Sequence, residues 1–194
     1  MRTIKCKTIA ILMTMLLSGI ALAAEESGGG READHAALRV LMAHATQALN
    51  TQDMDALAAC FTKDFVFTTV DQSVLTSILS MKQYYDRMLR QKDSLVTGYK
   101  IAPTVEIPTV FLDANTGYSW GTSDDTYVLR INGRTVHMPC RWTATVVRED
   151  GVWKLAAVHT GVNVTDNTVL QVRTMPWWRR CLLACGIGKF PGER

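Results

Sequence analysis

The chain has 194 residues, of which 47% are apolar and 20% charged, a balance typical of one globular domain and not of a disordered or fibrous protein. The formal net charge is +3, but residues 1–23 hold three basic and no acidic side chains, so the rest of the chain is neutral. Residues 173–194 carry +4 and residues 24–172 therefore −4, which argues against a nucleic-acid surface, because phosphate binding needs clustered Lys and Arg.

The chain begins with a basic segment and an apolar run. Three basic residues precede an apolar stretch over residues 8–22, which ends at Ala21-Leu22-Ala23 and is followed by two glutamates. This pattern predicts a secretory signal peptide over residues 1–23, cleaved near Ala23, and hence a periplasmic or secreted protein. The alternative is an uncleaved anchor, which the shortness of the apolar run disfavours.

Three helices are predicted in the first half of the remaining chain. Apolar residues recur at helical spacing over residues 31–49. Asp53 is expected to cap a second, short helix that runs through Phe61. A third helix is expected to begin at Thr76 or Ser80.

From Tyr99 onward the apolar period changes to two, which predicts long strands. The expected strands cover residues 65–69, 99–111, 116–131, 134–148 and 152–164. Turn residues separate the last four, at Asp113-Ala114-Asn115, Asn132-Gly133 and Asp150-Gly151. Asn132-Gly133 has the composition of a type I′ turn, and Asp150-Gly151 supplies the positive φ angles that a tight hairpin turn needs. Pro103 and Pro108 place the strand over residues 99–111 at an edge or introduce bulges. This order predicts an α+β domain, with about three helices packed on one face of a curved antiparallel sheet.

The last two strands should each present two faces, because successive side chains of a strand point in opposite directions. In the final strand one face holds Trp153, Leu155, Ala157, His159, Gly161 and Asn163. In the strand before it, one face holds Thr135, His137, Pro139, Arg141, Thr143 and Thr145, and the other holds Val136, Met138, Cys140, Trp142 and Ala144. His159 therefore shares a face with Trp153.

Three segments carry a family resemblance: ALNTQDMDALAACFTKDFVF, MKQYYDRML and RWTATVVREDGVWKLAAVHTGVNV. Together they resemble the SnoaL-like branch of the nuclear transport factor 2-like superfamily. The resemblance implies a cone-shaped fold with a pocket between the sheet and the helices, often dimeric through the sheet. Its members include enzymes and binding modules. The expected organisation is a signal peptide (1–23), a linker (24–31), a SnoaL-like domain (32–168) and a basic tail (169–194).

The resemblance extends to the ketosteroid isomerases, which use an oxyanion-hole tyrosine, a carboxylate base and a protonated aspartate. The corresponding positions here are Ala45, Thr69 and Arg141, and none keeps that chemistry. A shift of one or two residues would bring Asp71 to the base position, but no comparable shift supplies the other two groups. We therefore do not expect that reaction.

A different pocket is predicted on the face that holds Arg141 and His159. Its expected residues are Thr69, Tyr84, Tyr85, His137, Arg141 and His159. A neutral histidine beside an arginine can act as a general base while the guanidinium holds a carboxylate or enolate, so His159 and Arg141 are candidate catalytic residues for a small apolar or acidic ligand. The alternatives are structural: a core histidine, packing roles for the tyrosines, and an ion pair between Arg141 and Asp124, Asp125 or Glu106.

No cofactor and no metal ion are predicted. Asp124 and Asp125 are adjacent on a strand, so their side chains should point to opposite faces, whereas a hard cation needs several converging oxygens. Four cysteines follow the signal peptide, namely Cys60, Cys140, Cys181 and Cys185. Three disulfide pairings among them are open in an exported protein, although Cys60 and Cys140 lie in apolar surroundings typical of buried free thiols.

The tail, PWWRRCLLACGIGKF, departs from the pattern of the domain. One interpretation is peripheral membrane contact, with Trp177 and Trp178 at the depth of the lipid headgroups and Arg179 and Arg180 against anionic lipids. The other is a short helix that covers an open end of the fold or packs on a partner. The apolar run is too short to span a bilayer.

Three functions remain open from the sequence. The leading hypothesis is an exported protein that binds a small apolar or acidic molecule in its cone. The alternatives are a lyase, isomerase or hydrolase that uses a His–Arg pocket, and an envelope protein-interaction module. A homodimer through the sheet is expected, and no nucleic-acid partner.

Overall fold

The computed structural model describes residues 30–162, residue 171 and residues 174–189. The described residues divide into two units, one that ends at Arg39 and one that begins at Val40. In the first unit, the described residues form the start of helix α1, where Arg39 Nη2 donates to Glu32 Oε1 at 2.6 Å. The signal peptide and the domain boundary predicted at residue 168 lie outside the described residues. All the features below belong to the second unit, apart from the first turns of α1.

The helices of the described chain are α1 (Glu32–Thr51), α2 (Met54–Ala59), α3 (Ile78–Leu89) and α4 (Trp177–Ala184). The predicted cap of α2 is confirmed, since the Ala56 amide donates to Asp53 Oδ1 at 3.0 Å. The helix ends before Phe61, which begins a strand instead. The predicted start of α3 is wrong, because Ser77 caps it in a reciprocal capping box with Ser80.

The strands are β1 (Phe61–Thr68), β2 (Val74–Leu75), β3 (Val96–Lys100), β4 (Pro103–Val105), β5 (Val110–Phe111), β6 (Thr116–Leu129), β7 (Thr135–Glu149) and β8 (Val152–Val162). They form one sheet in the order β2-β1-β8-β7-β6-β3, with β4 and β5 also paired to β6. The predicted α+β class is confirmed. The sheet is mixed and not wholly antiparallel, because β1 pairs with β8 in parallel.

The region predicted as one strand over residues 99–111 is divided into pieces. Pro103 begins β4 and Pro108 lies between β4 and β5. The pieces pair successively with β6, so the two prolines interrupt an edge without ending the pairing, as expected. Asn50 connects α1 to this edge, because its side chain accepts from the Ile101 amide at 2.7 Å and donates to the Ile101 carbonyl at 3.0 Å.

The two predicted hairpin turns have different outcomes. Asp150 and Gly151 both have positive φ angles, of 50° and 80°, so the tight hairpin turn predicted there is confirmed. The turn at Asn132-Gly133 is longer. Only Gly133 has a positive φ angle, and its amide donates to the Leu129 carbonyl, so the type I′ prediction is wrong there.

One face of the sheet, here called the interior face, packs against the helices. The core combines Phe61, Phe65 and Phe67 of β1, Met81, Tyr84, Tyr85 and Leu89 of α3, and Val136, Met138 and Cys140 of β7. Met175 and Leu183, beside and within α4, belong to the same core. Burying this apolar surface stabilises the fold by roughly 25 cal/mol per Å². Among the described residues, no helix has the length and apolar content needed to span a membrane.

A β-bulge in β8 changes which side chains reach the interior face. Thr145 pairs with Ala157, but the next residue, Val146, pairs with Leu155, so Ala156 is extra. Before the bulge Leu155 lies on the interior face. After it Val158 takes that place, opposite Ala144, and His159 lies opposite Thr143 on the outer face.

Candidate functional site

A cluster of buried polar side chains lies on the interior face, where β3, β6 and β7 meet α3. We call it the interior polar cluster, and its members are Tyr84, Tyr85, Tyr99, Asp125, Tyr127 and Cys140. Asp125 and Tyr127 are two residues apart on β6 and so share this face. Met138 of β7 pairs with Asp125, which places Cys140 beside that carboxyl on the neighbouring strand.

Asp125 is the buried acid of the cluster and is only 6% exposed. Burial raises the pKa of its carboxyl, and hydrogen bonds from Ser123 and Cys140 offset that rise only in part. The Ser123 hydroxyl donates to Asp125 Oδ1. Within the described part of the chain no cation forms an ion pair with this carboxyl, so no opposite charge offsets the cost of burying its ionised form.

Four tyrosine rings pack one against the next beside this acid. The ring centroids of Tyr85 and Tyr99, which are stacked, lie 5.6 Å apart, and those of Tyr99 and Tyr127, also stacked, lie 6.1 Å apart. The Tyr84 ring meets that of Tyr85 edge-on at 5.3 Å. Burial raises the pKa of Tyr84 to about 12 and raises the pKa of the other three as well, so all four remain neutral phenols.

The hydroxyl of Tyr99 is the unsatisfied group of the cluster. It is buried and makes no hydrogen bond of ordinary geometry to the described residues, although the Tyr85 hydroxyl lies beside it. A buried polar atom in this state costs about 1–3 kcal/mol and is normally satisfied by protein, water or a ligand. Tyr99 is therefore the member of the cluster whose hydroxyl the described residues leave without a well-formed hydrogen bond.

Cys140 is a poor nucleophile in this setting. Burial, reinforced by the neighbouring Asp125, raises the pKa of its thiol. Its Sγ lies 3.2 Å from the Met138 carbonyl oxygen, so its single S–H can bond either that oxygen or the Asp125 carboxyl. The thiolate is the reactive form of cysteine, and a raised pKa leaves little of it. Cys140 therefore contributes to the cluster by apolar packing and as a weak hydrogen-bond donor. All four cysteines of the described chain are free, and Cys60 and Cys140 are buried, as predicted.

A second carboxylate lies beside Tyr84 of α3. Asp71 follows β1 and accepts hydrogen bonds from Thr69 Oγ1 at 2.5 Å and from the Ser73 amide at 3.1 Å. Partial burial would raise the pKa of Asp71, but these hydrogen bonds and one from Tyr84 outweigh it and hold the pKa below its usual range. The pKa of Asp71 is thus lowered, whereas that of Asp125 is raised.

The six predicted pocket residues divide between the two faces of the sheet. Thr69, Tyr84 and Tyr85 are buried, and the two tyrosines belong to the interior polar cluster. His137, Arg141 and His159 lie on the outer face, since β7 pairs Thr143 with His159 and keeps Arg141 and His137 in register with Thr143. The structure does not bring the two groups together in one pocket.

The outer-face residues have partners of their own or are exposed. Arg141 Nη1 bonds Glu106 Oε2 at 3.2 Å with its side chain 72% exposed, which is one of the ion pairs considered from the sequence. His137 Nδ1 lies 3.1 Å from Asp124 Oδ1. His159 is exposed and lines an open groove of about 190 Å³, whose other residues include Val66, Thr68, Tyr118, Trp120 and Thr143.

Sequence reasoning missed Asp125, Tyr99 and Tyr127 as site residues. The usable signal was the prediction that Asp124 and Asp125 point to opposite faces of their strand. The structure confirms it, since Asp124 lies with His137 on the outer face and Asp125 is buried. An acid on the apolar side of a strand is rare enough to deserve a functional interpretation. Within the described ranges, no group of three or more His, Cys, Asp or Glu side chains could hold a metal ion.

The chain matches a known domain family over most of its described length. The model of the SnoaL-like domain matches residues 31–159. No curated protein sequence matches the chain significantly.

Solved structures show the same fold at low identity. A type 2 hexachlorocyclohexane dehydrochlorinase (LinA) is 17% identical, with a TM-score of 0.60 over 69% of this chain and 87% of that one. A LinA-type3 dehydrochlorinase from Novosphingobium barchaimii LL02 is 18% identical, with a TM-score of 0.56 over 69% and 88%. A ketosteroid isomerase-like protein from Erwinia carotovora atroseptica SCRI1043 is 15% identical, with a TM-score of 0.57 over 68% and 97%. At these identities the likeness shows the fold alone.

Proposed function

Because the chain belongs to the SnoaL-like domain family, we propose that it binds a small, uncharged, largely apolar molecule at the interior polar cluster. The observation that carries the proposal is the buried Tyr99 hydroxyl, which lacks a well-formed hydrogen bond among the described residues. Aromatic walls with a few convergent polar groups are typical of ligand sites. The stacked tyrosines supply the walls, and Tyr99 and Asp125 supply the polar groups.

The cluster has no basic member, and this selects the class of ligand. A carboxylate ligand would find no positive charge there, whereas Arg141 lies on the outer face beside Glu106. An acidic ligand is therefore disfavoured at this site. A molecule with a carbonyl or hydroxyl group fits better, because the neutral phenols of the cluster can donate hydrogen bonds to it.

Native mass spectrometry tests the proposal. The protein is purified gently, its mass is measured intact, and it is then denatured to release any bound molecule. We expect the wild-type protein to release a stoichiometric, uncharged compound. The affinity of Tyr99→Phe and of Asp125→Asn for that compound should be at least about tenfold lower, the effect of one or two lost hydrogen bonds. Arg141→Ala is the matched control and should retain the compound. Retention by both interior variants, with loss from Arg141→Ala, would refute the site.

A lyase, isomerase or hydrolase is the second candidate. It is favoured by the opposite pKa shifts of Asp71 and Asp125, since acid and base pairs in enzymes are often separated in this way. However, the lowered pKa makes Asp71 a weak base at neutral pH, and for that reason we prefer binding. Turnover of the released compound that is abolished in Asp71→Asn, with binding intact, would favour the enzyme instead.

The proposal also covers assembly and location. The groove beside His159, flanked by exposed Val66 and by the stacked rings of Tyr118 and Trp120, supports a homodimer through the outer face. The alternative of an envelope interaction module would use this same outer face. Export to the periplasm or beyond stays a prediction from residues 1–23. N-terminal sequencing of the purified protein tests it, and a start at Met1 would count against it.

A further inference from the structure

Helix α4 and the loop after it present an apolar surface to solvent. The side chains of Trp177 and Trp178 are 75% and 53% exposed, and Leu182 and Ile187 are exposed as well. Trp178 and Leu182 are four residues apart and so share one side of the helix. Two exposed tryptophans on one short helix are unusual for a surface that faces only water.

The same segment is held firmly on the domain. Leu183 is only 2% exposed and Met175 is also buried, both in the core described above. Arg134 Nη1 donates to the Gly188 carbonyl at 3.2 Å. The surface therefore projects from a fixed position, so binding would not first have to order a free tail.

The end of the helix extends the apolar surface. Gly186 has a φ angle of 80°, its amide donates to the Leu183 carbonyl, and the Ile187 amide donates to the Leu182 carbonyl at 2.9 Å. This is the Schellman pattern, in which the residue after the glycine packs towards the last turn of the helix. The chain therefore folds back at Gly186, and Ile187 lies next to the last turn of the helix, near Leu182.

Charge around this surface is positive. Over residues 174–189 the chain has three basic side chains, Arg179, Arg180 and Lys189, and no acidic one. Arg179 and Arg180 follow the two tryptophans directly, and both are exposed. Indole rings next to arginines match the boundary between acyl chains and anionic phosphates.

We propose that Trp177, Trp178, Leu182 and Ile187 insert into the surface of an anionic phospholipid bilayer, with Arg179 and Arg180 against its phosphates. A second copy of the chain fits this face less well. A symmetric contact would bring the arginines of both copies together, and an eight-residue helix is far smaller than the roughly 20–30 residues a side of a stable interface. The proposal is independent of the interior ligand.

Quenching of tryptophan fluorescence by brominated lipids tests the proposal at the helix itself. Vesicles of phosphatidylcholine alone are compared with equal mixtures of phosphatidylcholine and phosphatidylglycerol. Trp120, Trp142 and Trp153 lie in the sheet. Residues 1–23 contain no tryptophan, so insertion of residues 1–23 would place no reporter of their own in the lipid. We expect quenching by the anionic vesicles, reduced by added salt.

Matched variants decide between the outcomes. Trp177→Ser/Trp178→Ser should abolish the quenching. Arg179→Gln/Arg180→Gln should raise the lipid concentration needed by about 30-fold, because each charge near an anionic surface contributes about fivefold. Lys63→Gln/Lys100→Gln, which removes two exposed charges elsewhere, should change little.

Three results would overturn the proposal. The first is an absence of quenching of the wild-type protein by anionic vesicles. The second is quenching that persists in Trp177→Ser/Trp178→Ser, since the insertion would then lie elsewhere. The third is a dimer in sedimentation that the same double substitution dissociates, because the face would then bind a second copy. Circular dichroism of each variant confirms that it is folded.

Discussion

At the scale of single residues, Asp125 should make the stability of the protein depend on pH. Its pKa is raised by burial, so folding favours the protonated acid. The stabilisation is complete below the unfolded-state pKa, about 3.9, and is lost as the pH rises through the higher pKa of the folded state. Each pKa unit by which the folded state exceeds the unfolded state contributes about 1.4 kcal/mol to the free energy of unfolding.

We expect the free energy of unfolding to fall over that pH window in the wild-type protein, and to fall less in Asp125→Asn. Urea denaturation at a series of pH values measures it. The exposed Asp64→Asn should reproduce the wild-type profile. Parallel profiles for the wild type and Asp125→Asn would show that Asp125 does not titrate in this way.

Tyr99 should contribute to binding at the expense of stability. Its hydroxyl is buried without a good hydrogen bond to the described residues, so Tyr99→Phe removes an unfavourable group and keeps the ring stack with Tyr85 and Tyr127. We expect stability to be unchanged or higher by about 1 kcal/mol. Thermal unfolding of the ligand-free protein measures this, with Tyr118→Phe on the outer face as control. A loss of more than 1 kcal/mol would mean that the hydroxyl is satisfied.

At the scale of elements, Gly121 allows β4 to lie against β6. A Cβ atom at this position would come within 1.9 Å of the Thr104 carbonyl oxygen and 2.8 Å of the Trp142 ring. Gly121→Ala should destabilise the protein by about 1–3 kcal/mol or more, since backbone must move. In Gly98→Ala the nearest contact is an ordinary 3.8 Å, so stability should be unchanged or slightly higher. Urea denaturation compares them, and equal stabilities would contradict the close approach.

Local signals in the sequence predicted most of the elements. Asp53 and Asp150-Gly151 act within a few residues of their own position, so the cap and the hairpin turn could be derived from the chain alone. The bulge at Ala156 could not, because it is set by the pairing of β8 with β7, and an alanine pair fits either register. Alternation counted through that point assigns His159 to the wrong face.

The candidate site was harder to predict than the fold for the same reason. Its members come from α3, β3, β6 and β7, and the contacts among them exist only after the sheet has formed. Asp125 and Tyr99 are far apart in sequence, and no motif joins them. The pattern did place Tyr84 and Tyr85 on the buried side of their helix, which is where the structure has them.

At the scale of the whole molecule, the outer face should decide the oligomeric state. Thr143 is exposed in the middle of this face, opposite His159. If the sheet forms the dimer interface, Thr143→Asp would place two like charges within it and should give a monomer with unchanged thermal stability of the fold. Sedimentation velocity over a range of concentrations measures this. Leu79→Asp, exposed on α3, is the control and should remain dimeric. A wild-type monomer at all concentrations would rule out the interface.

The parallel pairing of β1 with β8 also sets an order of events for the newly made chain. β8 lies between β1 and β7 in the sheet, and the Thr160 hydroxyl donates to the Thr68 carbonyl across 92 positions of sequence. The hairpins of β6 and β7 can form early, because their partners are close in the chain. β1 must wait for one of the last strands to be synthesised. Until then it has an unpaired edge that other chains can reach, so the interval before β8 emerges is when the protein is most exposed to aggregation.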